Sequence, residues 1–414
     1  MALRCFPFLL ANTTALAYGV TIMQSRTETS FALIAALWVA GFCAAAQFAK
    51  VGVIFPDLMK LYPNAGAASG FLVSLLSFIG MVLGLVAGML VARFGYRRLL
   101  LGALLLGAAI SAFQASLPSF QLMLTSRLIE GASHLIIVVA APTLIAQLSS
   151  DRHRAAALTL WGTFFGVAFA LVAWFGLPLV KAQGPASLFR VHALAMLMIA
   201  GVLFVMLPHD EAANTKRAAF TLIAISKRHL QTYASAFISA PSLGWLFYTL
   251  SFVSLLTLLP SFVAEEHRAF VIGAMPLASI ASSLTIGVFL LRYLTAIQVV
   301  ITGFVASALC SALLWFLPGS VPVCIGLFAC LGLVQGASFS AVPELNPSAD
   351  ARAYANGAMA QMGNFGNLSG TPLLLLLLTA MGFNGLILFA ITCYGAGIAV
   401  HVVLTWRRQR LLIA

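Results

Sequence analysis

Twelve membrane-spanning helices in two pseudo-symmetric six-helix halves, making an all-α membrane protein, is the architecture this sequence predicts. Three observations carry that expectation: a composition suited to lipid, apolar runs of spanning length along the whole chain, and a sequence that repeats itself at about half its length. Hydrophobic residues make up 62% of the chain and charged residues 8%, with a mean hydropathy of +1.05; a soluble domain carries roughly 25% charge. The formal net charge is +12. Lys and Arg nevertheless stand singly between apolar runs and line no basic face, so the expected partner is the lipid bilayer and not nucleic acid. Six cysteines without a CxxC pair suggest neither a metal site nor a disulfide framework.

A spanning helix needs about 20 mostly apolar residues. Runs of that kind cover 31–58, 67–92, 99–117, 120–148, 155–180, 187–208, 238–264, 270–291, 296–317, 320–342, 354–380 and 382–406. If the chain enters from the cytoplasm, Arg93, Arg97, Arg98, Arg152, Arg154, Lys216, Arg217, Lys227 and Arg228 all fall on the cytoplasmic side. The opposite loops hold Lys60, Lys181, Arg190 and Arg268. The positive-inside rule then places both termini in the cytoplasm, and the expected location is a cell membrane, a bacterial inner membrane. Residues 1–30 are an N-terminal extension whose apolar stretch 5–22, broken by Asn12, Thr13 and Thr14, resembles a signal peptide in pattern. A thirteenth span would put the first half out of step with its charged loops. The expectation is a dispensable segment apart from the bundle, with Met23 as a plausible start.

The repeat rests on three matches. Phe55-Pro56 answers Leu259-Pro260, the Gly88–Arg93 run answers Gly287–Arg292, and Glu130-Gly131-Ala132-Ser133 answers Gln335-Gly336-Ala337-Ser338, all offset by 199 to 205 residues. Short apolar words recur by chance; three in order argue for duplication. The halves are then 31–208 and 238–406, joined by a polar cytoplasmic linker, 209–237, and followed by a tail, 407–414. An apolar patch from Ala218 to Ile225 could lay an amphipathic helix on the lipid surface. Paired repeats of this kind hold their substrate between them near the midplane.

The run Gly88-Met-Leu-Val-Ala-Arg93-Phe-Gly95-Tyr-Arg97-Arg98 resembles the loop between helices two and three of the major facilitator superfamily. Ala92 stands where that family usually has an acid, and Tyr96 where it often has a basic residue. Arg127 and Gly131 are similar to its fourth-helix pattern, and the Gly-Pro step of many drug antiporters is absent from helix five. The resemblance implies the major facilitator fold over about 31–406. It also implies a cytoplasmic gate built from Gly88, Arg93, Gly95, Arg97, Arg98 and, in the next cytoplasmic loop, Asp151. Within the family, the words from Arg127 to Pro142, at Leu160–Thr163 and at Ala355–Gly357 are most similar to the cyanate and nitroimidazole permease branch.

Ionisable groups inside a bilayer cost about 2.5–3.5 kcal/mol on insertion scales, so each is a candidate for function. Lys50 in the first span and Arg127 in the fourth stand at similar depth, since the two helices run in opposite directions and rise 1.5 Å per residue. Glu130 and His134 follow Arg127 at i+3 and i+7, on one stripe. Two readings compete for this group: an anion site in which Glu130 exchanges partners and takes a proton, and a permanent structural ion pair. His134 reads equally as a packed histidine. The second half shows no certain ionisable residue at membrane depth, and its polarity lies in Gln335, Ser338, Gln361, Asn364 and Asn367, which are either substrate donors or packing amides. Trp161 and Tyr248 are candidate aromatic walls.

The expected activity is secondary active transport of a small solute, an organic or inorganic anion coupled to protons, by alternating access of a monomer. The alternative within transport is export of neutral or drug-like compounds; a membrane sensor is the alternative from another class. No GxxxxGK[ST] loop occurs. Catalytic residues, metals and cofactors are not expected, and the chain does not read as an enzyme.

Overall fold

The computed structural model describes residues 29–208 and 229–413. The expectations for residues 1–22 and for the linker patch 218–225 lie outside them. The first half runs through α1 (Phe31–Gly52), α2 (Phe55–Leu61), α3 (Phe71–Ser74), α4 (Phe78–Phe94), α5 (Tyr96–Gln114), α6 (Phe120–Leu148), α7 (Asp151–Trp161), α8 (Phe164–Leu171), α9 (Leu177–Gln183) and α10 (Pro185–Met206). The second runs through α11 (Ser239–Leu258), α12 (Glu265–Ser282), α13 (Ala296–Phe316), α14 (Val321–Leu345), α15 (Ala349–Met381) and α16 (Phe383–Ile413).

Among the described residues, eleven stretches are helical, long and apolar enough to cross a membrane. The predicted eleventh span, α15, is not one of them. Gln361, Asn364 and Asn367 dilute its apolar character, although the helix itself runs unbroken for 33 residues.

Several spans are assembled from shorter pieces, and proline explains most of the joints. A proline has no N–H to give and crowds the preceding turn. Pro56 follows the turn at Val53–Ile54 that separates α1 from α2, and Pro260 sits in the 3₁₀ turn Leu259–Phe262 that closes α11. The first repeat match is thus a matched break. Pro178 opens α9 directly after the π turn Val172–Gly176. The second span is the most broken, with 3₁₀ turns at Pro63–Gly70 and Leu75–Ser77 on either side of α3.

Packing relies on close approach of small residues. A Cβ at Gly131 would stand 2.3 Å from the Leu76 carbonyl oxygen, and one at Gly332 2.1 Å from the Ser279 carbonyl oxygen, so each half brings two helices into backbone contact at a glycine. One apolar cluster, with Leu37, Leu104, Ile137 and Met196, lies inside the first half. A larger one joins Phe48, Leu72 and Leu76 to Phe252, Phe304 and Phe328 of the second. The halves meet where α4 packs on α15 and where α8 packs on α12. At the end of the bundle away from the linker, Lys181 and Glu265 pair across them at 3.5 Å.

Candidate substrate site

Lys50, Arg127 and Glu130 come together with no exposure to solvent. Lys50 lies in the last turn of α1, within the apolar sequence AAAQFAKVG, and nothing on its own helix can neutralise it. Its Nζ donates to Glu130 Oε1 at 2.6 Å. Arg127, one turn before Glu130 on α6, donates to the other oxygen, Oε2. The amide of Gln114 at the end of α5 also donates to Oε2, at 2.9 Å, and to Ser126 Oγ at 3.0 Å. Arg127 also donates to the broken second span, Nε to Leu72 O at 2.7 Å and an amino nitrogen to Val73 O at 3.4 Å. Both carboxylate oxygens of Glu130 are therefore occupied, and every partner comes from the first half.

The ammonium of Lys50 has a second anchor that sequence reasoning missed. It donates to Ser111 Oγ at 2.6 Å, and Ser111 Oγ stands 2.7 Å from His192 Nδ1. His192 Nε2 lies 2.9 Å from the carbonyl oxygen of Cys43. A carbonyl can only accept, so Nε2 carries a proton, and in the neutral ring Nδ1 then accepts from the Ser111 hydroxyl. That leaves the lone pairs of Ser111 facing Lys50. Phe189 covers the group from one side, its ring centre 5.4 Å from Nζ. His192 sits in the sixth predicted span, so the rule that singled out Lys50 would have found it too; Ser111 and Gln114 carry no such signal.

The cluster holds two cationic side chains and one carboxylate. If all three are charged, one positive charge is left over, buried in apolar surroundings where a lone charge is costly. The arrangement can release a proton from the cluster or admit an anion.

The other sequence candidates stand apart from this cluster. His134 Nδ1 bonds the Ala44 carbonyl oxygen at 3.1 Å and its ring meets Phe48 edge-on at 5.1 Å, so it ties α6 to α1. Trp161 lies against Phe164, 4.5 Å between ring centres, and over Gly41. Tyr248 stacks on Trp245 at 4.4 Å in a buried aromatic group with Phe252. Gln335 accepts from Ser279 Oγ at 3.3 Å. Asn364 donates to its own helix at Ala360 O, 2.8 Å, and fills the space over Gly80. Gln361 reaches across the halves to Met81 O at 3.1 Å, and Asn367 Oδ1 is buried without a partner among the described residues.

For the gate, Gly95 turns the chain between α4 and α5 at φ 94°, a conformation that favours glycine. Arg97 donates to Phe204 O at 2.8 Å, in the last turn of α10, where free carbonyls attract a cation. That contact stays within the first half. Arg98 is exposed and Gly88 lies within α4, whereas the side chains of Arg93 and Asp151 are outside the described residues. A hollow of about 500 Å³, lined by Leu33, Arg97, Leu148 and Phe204, lies at this end and away from the Lys50 cluster.

One expectation needs correction. The second half does hold an ionisable residue within its last predicted span: His401 is 1% exposed, and neither ring nitrogen has a hydrogen-bond partner among the described residues.

A membrane-spanning helical bundle with charge buried inside one half is the architecture of a solute carrier, and comparison with known families agrees. The chain belongs to the Major Facilitator Superfamily, whose sequence model matches residues 37–370. It is also similar to the 3-(3-hydroxy-phenyl)propionate transporter of Escherichia coli (strain K12), 28% identical over 353 residues that cover 80% of this chain and 84% of that protein.

Proposed function

We propose that this chain is a secondary active transporter of a small organic anion, coupled to protons, with Lys50, Arg127 and Glu130 as the charge-bearing part of its site. The observation that carries the reading is two cations against one carboxylate, all fully buried. An arriving carboxylate takes the donors of Lys50 or Arg127, and Glu130, set free, takes up a proton. Two cations then face one anion again, so the loaded site carries the same net charge as the empty one and is no harder to bury. Alternating access moves this site between the two sides, with 31–208 and 238–406 as the moving halves, 209–237 as their cytoplasmic linker, both termini in the cytoplasm and the monomer as the working unit.

The substrate named for the relative, a phenyl-substituted propionate, is an organic anion of the class this site suits. In the same reading the aromatic group around Trp245 and Tyr248 serves as an apolar wall. The narrower likeness to the cyanate and nitroimidazole permeases rests on short words only, and the named relative does not add to it.

A second reading has an observation of its own. Both oxygens of Glu130 are already filled, as in a permanent structural network, and the chain would then carry neutral or drug-like solutes. Binding of 3-(3-hydroxyphenyl)propionate and of its uncharged amide to the purified chain separates the two. The anion reading expects the acid to bind and Lys50→Gln and Arg127→Gln to abolish that binding while leaving any amide binding intact. Wild-type binding of the acid by both variants rejects it.

A further inference from the structure

Gln361, a substrate candidate by sequence, is spent elsewhere. Its amide makes three contacts, and they join three separate parts of the chain. The Tyr233 hydroxyl donates to Oε1 at 2.7 Å, while Nε2 lies 3.1 Å from Met81 O and 3.1 Å from His229 Nε2. Tyr233 and His229 belong to the last part of the linker, Met81 to α4 of the first half, and Gln361 to α15 of the second.

The chemistry of these contacts fixes the direction of each bond. Burial pushes the Tyr233 phenol up to about 12, so its hydroxyl keeps its proton and donates. Oε1 is thus the acceptor, and the two hydrogens of Nε2 go to the Met81 carbonyl and the imidazole. His229 Nε2 must accept, with its proton on Nδ1. No capacity of the amide nitrogen is left for a solute.

The surrounding interface explains why this contact matters. The second span, from the turn Pro63–Gly70 through α4, runs antiparallel to α15 and touches it through glycines: Gly70 meets Pro372, Gly80 meets Asn364, and Gly84 meets the backbone of Gln361. That register sets Ser77 level with Asn367 and Ser74 level with Thr371. The side-chain oxygens of all four are buried with no hydrogen-bond partner among the described residues. Helical hydroxyls elsewhere bond back to their own helix, as Thr143, Thr257, Ser307 and Thr379 do. Unbonded polar atoms are costly inside a membrane, so the middle of this contact does little to hold the halves together. At the linker end a polar bond does so, Gln361 with Met81, while at the far end the separate α9–α12 contact carries the exposed pair of Lys181 and Glu265.

We propose that Gln361 is a latch at the linker end of the α4–α15 contact, held in its closed setting by Tyr233 and His229. The linker thereby controls whether the halves can part at this end. A pull on the linker that withdraws Tyr233 releases Oε1, lets the amide rotate and frees the Met81 carbonyl. The latch is independent of which solute is carried and of the role of Lys50.

Hydrogen–deuterium exchange on the full chain in lipid nanodiscs tests this, because exchange reports local opening. Gln361→Leu should raise exchange several-fold in 81–94, 229–240 and 353–362 and leave 63–72 as in the wild type. Tyr233→Phe, which removes only the hydroxyl and its bond to Gln361, should give a smaller rise in the same three segments. If Gln361→Leu does not fold, Tyr233→Phe alone decides. Lys181→Ala serves as the opposite case, with any loosening confined to the ends of α9 and α12. Wild-type exchange in the three segments, or a rise spread equally to 63–72, overturns the latch.

Discussion

The two halves share their packing and differ in their charge. Using the offsets of the proline and Glu-Gly matches, Lys50 corresponds to Ser254, Arg127 to Gly332 and Glu130 to Gln335. The first set forms a buried ion cluster. In the second, Ser254 bonds back to Leu250 O at 2.7 Å, Gly332 lets α14 touch the Ser279 backbone, and Gln335 accepts one hydroxyl. The buried histidines differ likewise: both nitrogens of His192 are engaged, and those of His401 have no partner among the described residues. A duplicated scaffold tolerates such divergence because helix breaks and glycine contacts fix the backbone, leaving side chains at equivalent depth free to change. One half concentrates charge and the other supplies neutral surface.

The strongest way to break this contrast is Glu130→Gln. It leaves Lys50 and Arg127 buried without their carboxylate, and removing one member of a buried ion pair costs about 3–5 kcal/mol. The variant should show a large fall in melting temperature or fail to accumulate in the membrane, whereas Gln335→Ala at the matching position should lower stability by about 1 kcal/mol or less, with a correspondingly small fall in melting temperature. Equal effects would mean that the charge asymmetry has no energetic weight.

Next in size is a test of what the halves share. Gly131→Ala and Gly332→Ala each push a Cβ against a backbone oxygen, and overpacking of this kind costs about 1–3 kcal/mol. Similar losses of thermal stability in both are expected, and a silent Gly332→Ala would show that the second half is packed more loosely than the first.

Proton coupling should then appear as a rate effect with a defined sign. Because Glu130 must gain a proton for the anion to be held, anion uptake into proteoliposomes should speed up as external pH is lowered from 8 to 5.5. A variant that retains some transport without a titratable group at 130 should lose this dependence; uptake indifferent to pH in the wild type removes the proton from the mechanism. The smallest expected effect is that of Lys181→Ala. Its pair with Glu265 is solvent-exposed, and such pairs contribute little, so melting should not change measurably and any loosening should stay local to the ends of α9 and α12.

Sequence legibility followed the same division. Apolar run length gave the spans, since a bilayer fixes the length of a helix whatever its side chains, and matched prolines gave the matched breaks. Lys50, Arg127 and Glu130 were legible because charge in an apolar run is rare. Their support was not: Ser111, Gln114 and the Leu72 and Val73 carbonyls are ordinary residues until distant helices bring them together. Gln361 was ambiguous because a polar amide in a span reads the same whether it faces a solute or another helix, and its neighbours Met81, Tyr233 and His229 come from distant parts of the chain. The irregular second span was hidden as well, since its 3₁₀ turns leave the apolar pattern intact.

Calorimetric titration of the purified chain with 3-(3-hydroxyphenyl)propionate as the probe anion, comparing wild type, Lys50→Gln and Ser254→Ala, tests the division of labour between the halves most directly. The account predicts at least a tenfold loss of affinity in Lys50→Gln and wild-type affinity in Ser254→Ala. Wild-type affinity in Lys50→Gln, or an equal loss in both variants, would contradict it.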